Sequence, residues 1–118
     1  MPLWEDKPEA WHEVQPGVQR RILTHEPGVM LVLYRLGPES VFPMHTHPHV
    51  QSGTVLQGGG KFRVGNDTWI LRVGSSYLLP PNVPHELTTD PGGPTVVLDV
   101  FTPRREEFLH ETVRPDRA

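Results

Sequence analysis

Apolar residues come in short runs with polar partners between them. Turn chemistry cuts the runs at intervals of roughly 8–12 residues, the rhythm of an antiparallel sandwich or barrel. The pattern predicts strands over 18–24, 29–36, 41–46, 50–57, 61–64, 68–73, 77–79, 83–89 and 95–101. His25-Glu26-Pro27-Gly28, Gly37-Pro38, Gly58-Gly59-Gly60, Gly65-Asn66-Asp67, Gly74-Ser75-Ser76, Pro80-Pro81-Asn82 and Asp90 to Pro94 supply the breaks. One stretch has helical character. Thr102-Pro103 offers an N-cap and a first helical position ahead of Arg104 to Glu111. The reading is one all-β domain. It has an irregular arm over 1–16, a barrel over 17–102, a short helix over 103–112 and a frayed tail over 113–118. Trp4 and Trp11 in the arm are expected to pack their indoles on the body.

Composition narrows the classes. Eleven glycines and fourteen prolines in 118 residues exclude a helical bundle, because both residues break helix interiors. The chain has no cysteine, which excludes disulfides, thiolate metal sites and cysteine nucleophiles and fits the cytoplasm. A formal charge of -3 without a basic stripe argues against nucleic acid as a partner. The longest apolar run, Val29 to Tyr34, is too short to span a membrane, and Met1 to Asp6 lack the character of a signal peptide.

Chemistry concentrates in two places. His45, His47 and His49 fall within five residues. On a strand, residues two apart share a face, so His45 and His47 would converge, and Gln51 would keep their parity if the strand continued past Pro48. His85 stands on a separate strand-like segment that could close a metal site. Such a cluster alone is also compatible with a solvated loop. The second place is the strand 95–101, where Asp99 interrupts an apolar run. Asp99 shares a face with Thr95, Val97 and Phe101. A carboxylate there is costly unless paired or used. Either it looks into a cavity and moves protons, or it sits at a barrel rim paired with Arg104 or Arg105. His49 is a partner of the metal shell or a solvated turn residue. One of the two arginines is expected to face a cavity mouth and the other solvent.

The frame around the histidines resembles the cupins, small double-stranded β-helix (jelly-roll) barrels with two motifs. The first, roughly G-x5-H-x-H-x(3,4)-E-x6-G, is matched by His45, His47, Gln51 and Gly58; the second, G-x5-P-x-G-x2-H-x3-N, by Gly74, Pro80, Asn82 and His85. The departures are an opening glycine set further back at Gly37, Gln51 for glutamate, Asn82 for glycine and Thr89 for asparagine. The resemblance implies one divalent metal ion (Zn, Ni, Fe or Mn) on His45, His47, Gln51 and His85. A neutral glutamine leaves the ion its full charge, which favours polarising an oxygen over oxygen-activating chemistry.

Asp99-Val100-Phe101-Thr102-Pro103-Arg104-Arg105-Glu106-Glu107-Phe108-Leu109 is similar to the C-terminal motif of KdgF-type cupins, and Gly17 to Leu23 is similar to their start. That family usually has a tyrosine where Thr54 stands, and an extra residue between the second histidine and the glutamine. The resemblance implies an enzyme that linearises 4,5-unsaturated uronates, with Asp99, Phe101 and Arg105 beside the metal and a small carboxylated sugar as partner. It also implies a homodimer, to which the tryptophan-bearing arm could cross. Met44, Thr54, Phe62 and Tyr77, with Ser52, are expected to shape the cavity. An Fe or Mn dioxygenase, a non-enzymatic ligand-binding module and a purely structural barrel are the alternatives.

Overall fold

The computed structural model describes residues 1–117. Ten strands follow one another: β1 (Trp11–Gln15), β2 (Val18–Glu26), β3 (Val29–Leu36), β4 (Val41–His45), β5 (Val50–Gln57), β6 (Gly59–Val64), β7 (Asp67–Arg72), β8 (Ser76–Leu79), β9 (His85–Thr89) and β10 (Thr95–Thr102). They form a six-stranded sheet, β1-β2-β3-β10-β5-β8, and a four-stranded sheet, β4-β9-β6-β7, paired antiparallel throughout. Alternate residues of both sheets point inward, as period-two side chains must. Met30, Val32, Leu36, Val55, Phe62, Leu79, Val97 and Phe101 are among the buried side chains between them.

β10 lies centrally in the larger sheet, with β3 on one side and β5 on the other. Its inward face is Thr95, Val97, Asp99 and Phe101, all buried, while Val96, Leu98 and Val100 are only partly covered. β4 is an edge strand, which tolerates Pro43 because a missing N–H leaves no ladder bond broken. Its pairing with β9 slips between Phe42 and His45, so that His45 lies opposite His85.

The motif departures have local reasons. Asn82, in the glycine place, has a φ of 67°, a left-handed conformation that asparagine adopts more readily than most residues. Thr89, in the asparagine place, donates through Oγ1 to Gly37 O at 2.7 Å and accepts from Ser40 N at 2.8 Å. It ties β9 to the turn that leads into β4.

Several expectations are corrected. The arm is not irregular throughout: Trp11–Gln15 pairs with β2. Its indoles do pack on the chain. Trp4 Nε1 donates to Val113 O at 2.9 Å, and the Arg35 guanidinium lies 4.2 Å from the Trp11 ring. The tail is paired, because Leu3 bridges Arg117. The C-terminal helix is a 3-10 helix, Glu106–Glu111, capped by Arg105 with no side-chain bond, while Thr102 stays in β10. Gly59 and Gly60 belong to β6, where a Cβ would overlap the carbonyl oxygens of Leu71 and Thr88. No helix among the described residues is long and apolar enough to cross a membrane.

Candidate active site

One end of the barrel carries a pocket with an apolar wall that includes Leu36, Phe42, Phe62, Leu87 and Val97. Its polar groups are Tyr34, His45, Gln51, Tyr77, His85, Asp99 and Arg105. Few polar groups converging on an apolar pocket is the usual form of a small-molecule site.

The three histidines of the expected metal set converge, but not as one strand face. His45 ends β4, His47 lies in the connection that follows, Gln51 is on β5 and His85 opens β9. Strand parity therefore does not bring His47 to the site. The chain turns past Pro48 instead, and Asn82 N holds the turn by donating to His47 O at 2.8 Å. His45, His47 and His85 each place a ring nitrogen within 4.8 Å of the others. The ring centroids of His45 and His85 are 4.2 Å apart.

The tautomers of His45 and His85 suit a cation. His45 Nδ1 donates to Pro43 O at 2.7 Å, and His85 Nδ1 donates to Val83 O at 2.9 Å. Each ring thereby keeps its proton on Nδ1 and leaves Nε2 with a lone pair. His85 Nε2 is buried without a partner, an arrangement that costs free energy unless something accepts the lone pair. His47 Nε2 lies 2.9 Å from Gln51 Oε1. Burial pushes the His47 and His85 imidazoles down to about 4 and lowers His45 as well. All three rings are therefore neutral at neutral pH, the form that binds metal. Three imidazoles and an amide oxygen fit a borderline divalent ion such as zinc, nickel, iron or manganese, and they do not choose among these.

Asp99 points into the pocket from the centre of β10 with 2% of its surface exposed. It does not pair with either arginine. Tyr77 donates its hydroxyl to Asp99 Oδ1 at 2.6 Å. Burial raises Asp99 to about 6, with the Tyr77 bond pulling the other way. Tyr77 is pushed well above its ordinary value by burial and by the Asp99 charge, so its hydroxyl keeps its proton.

Gly53 makes room for this pair. A Cβ there would overlap Asp99 Oδ1 and lie 2.5 Å from Tyr77 Cζ. Gly53→Ala is expected to lose about 1–3 kcal/mol through overpacking and to displace the Asp99–Tyr77 bond. Urea unfolding checks it; an unchanged midpoint would mean that the wall yields freely.

Arg105 and Phe101 complete the pocket. The Arg105 guanidinium stands 5.0 Å from the Phe101 ring and 4.4 Å from the Phe108 ring, and its Nε donates to Glu107 Oε1 at 3.2 Å. Arg104 does not line the pocket and pairs with Glu106. His49 is buried beside His47 and Phe101 with Nδ1 unpartnered, so it is not a solvated turn residue.

Of the side chains expected to shape the cavity, Phe62 and Tyr77 line it, whereas Met44, Ser52 and Thr54 do not. Thr54 donates to Ser75 O on the outer face. Period two explains this: Gln51 faces inward, so Gly53 and Val55 do too, and Ser52 and Thr54 face out. Tyr77 was legible only as a bulky wall residue. Its bond to Asp99 crosses between β8 and β10, which no local pattern encodes.

A fold of two antiparallel sheets with histidines where β4 ends and β9 begins defines a class, and the chain belongs to the cupin family. The cupin-domain family model matches residues 32–101, more than half of the chain. Within that class it is similar to particular members. The pectin degradation protein KdgF of Dickeya dadantii (strain 3937) is 28% identical over 105 residues, covering 88% of this chain and 94% of that protein. The structure of KdgF from Halomonas sp. has a TM-score of 0.80 at 31% identity, with 84% of this chain and 90% of that one covered. An RmlC-like cupin from Shewanella frigidimarina NCIMB 400 has a TM-score of 0.78 at 25% identity, with 84% and 87% covered.

Proposed function

We propose that this protein is a metal-dependent enzyme of the KdgF type, opening 4,5-unsaturated uronates to 4-deoxy-5-keto-uronates. The name of the Dickeya relative ties that protein to pectin degradation, and the likeness extends over most of both chains. The observation that carries the reading is the buried Asp99–Tyr77 pair, which shares one pocket with His45, His85, Gln51 and Arg105.

The reaction is an isomerisation. The bond between C1 and the ring oxygen breaks, the C1 hydroxyl loses its proton as the aldehyde forms, and C4 gains a proton as the C5 enol becomes a ketone. One proton leaves an oxygen and one arrives at a carbon. A single carboxyl group that accepts and returns a proton closes that cycle. Asp99, raised to about 6, has the acidity for both directions near neutral pH. Tyr77 holds the carboxyl in place and supplies a hydrogen-bond donor beside it. Arg105 takes the substrate carboxylate, for which its planar fork is suited. Phe101 packs against the sugar ring. A divalent ion on His45, His47, Gln51 and His85 supplies Lewis-acid polarisation of substrate oxygens when bound.

The test is turnover of unsaturated galacturonate, mannuronate or guluronate monomers, followed as loss of the ultraviolet absorbance of the conjugated enol acid. Metal-loaded protein is expected to accelerate the loss well beyond the spontaneous rate. His85→Ala is expected to lose bound metal and turnover together, because its buried Nε2 has no other partner. Metal-bound protein that accelerates none of the three would move the function to another small molecule.

A further inference from the structure

A second group of metal-ligating side chains lies away from the pocket. His12 is on β1, and His110 and Glu111 end the 3-10 helix. None of the three lines the pocket. One ring nitrogen from each histidine and one carboxylate oxygen lie within 4.8 Å of one another. His12 Nε2 and His110 Nε2 are each 3.8 Å from the same atom, Glu111 Oε2. The two rings meet edge-on with centroids 5.8 Å apart, so neither blocks the other.

Zinc bonds to nitrogen and oxygen of about 2.0–2.2 Å place tetrahedral ligand atoms about 3.4 Å apart. The observed spacing is slightly wider. Closing it takes small rotations of two side chains that are free to make them, since His12 is 44% exposed and His110 is 68% exposed. Glu111 is fixed, because Arg20 donates from Nε to Oε1 at 2.8 Å and from Nη2 to Oε2 at 2.6 Å. A carboxylate has about four lone-pair sites, so two bonds to Arg20 do not exhaust it.

We propose that His12, His110 and Glu111 form a second divalent-cation site, suited to zinc or a comparable borderline ion, with water completing the shell. The donor set sets the preference. Two imidazoles favour zinc, copper or nickel over magnesium and calcium, which seek oxygen ligands. The Arg20 charge beside Glu111 disfavours ions held by charge alone. An ion here ties β1 to the segment that also carries Arg105, joining the arm to the wall of the pocket.

The test is zinc stoichiometry by equilibrium dialysis on untagged protein, with elemental analysis of the retained metal. The variant is the double change His12→Gln and His110→Gln. Both residues are exposed enough to leave the fold intact, and circular dichroism verifies this. The variant is expected to hold one equivalent fewer than the parent protein. Equal stoichiometry in the two overturns the proposal. The readout is a difference, so the occupancy of the histidine cluster in the barrel cancels, and failure of the uronate reading leaves this result unaffected.

Discussion

Asp99→Asn is expected to reduce turnover of an unsaturated uronate by roughly 10²–10⁴-fold, the usual contribution of a positioned acid or base, while metal stays bound. The asparagine keeps the shape and can still accept from Tyr77, but it cannot exchange a proton. A second effect runs in the opposite direction. An aspartate raised from 3.8 to about 6 binds its proton more tightly in the folded protein than in the unfolded chain. Its cost to stability is absent below about pH 4, grows as pH rises through 6, and is complete at neutral pH. A shift of that size corresponds to a cost on the order of 2–3 kcal/mol. In chelator-treated protein at pH 7, Asp99→Asn is therefore expected to be more stable than the parent, and the gain is expected to vanish at pH 4. Urea unfolding at the two pH values, beside the absorbance assay, checks both halves. Full activity in the variant would remove Asp99 from the chemistry.

The largest loss of stability is expected from Glu111→Ala. Arg20 and Glu111 form a two-bond ion pair with 11% and 1% of their side chains exposed. Burial alone would lower the Arg20 pKa, and Glu111 together with Tyr34 more than restores it. Removing the carboxylate strands a buried guanidinium, which costs about 3–5 kcal/mol. Replacing both partners with Arg20→Met and Glu111→Leu is expected to recover most of that, because no charge is then left unpaired. Urea midpoints of the single and double variants decide it. A single variant within about 1 kcal/mol of the parent would mean that water reaches Arg20. The pair also bears on the pocket. The Phe108 ring lies between two guanidinium groups, Arg20 at 3.7 Å and Arg105 at 4.4 Å. A series of contacts thus runs from Glu111 through Arg20 and Phe108 to the pocket-lining Arg105.

Strand content was readable wherever alternation and turn residues coincided. β3 and β5 fall on the residues the pattern picks out, and the hairpin at Gly65-Asn66 joins β6 to β7 where expected. β1 was not readable, because Trp-His-Glu-Val-Gln is an edge strand with weak alternation, held by β2 rather than by its own pattern. The C-terminal segment looked helical from its cap residues. What holds it is Phe108 in the core and Glu111 on Arg20, contacts across the whole chain length that local spacing does not express. At the site, residue types and motif spacing picked out side chains that do meet in space. How they meet was not visible. His47 arrives by a turn rather than a strand face, and Gly53 matters only because Asp99 and Tyr77 occupy the space its side chain would take.

The closing contacts between the two ends of the chain bear on how the molecule opens. Leu3 N donates to Arg117 O at 2.8 Å and Asp116 N donates to Leu3 O at 2.5 Å. Lys7 and Asp116 form an ion pair, and Glu5 N donates to Asp116 Oδ2 at 2.7 Å. Neither end can peel away by itself. Releasing residues 113–117 takes the partner from Trp4 and Lys7, which loosens the lead-in to β1 and then the edge of the larger sheet. Residues 3–7 and 113–117 are therefore expected to open as one cooperative unit, their amides exchanging with solvent together rather than as two independent ends.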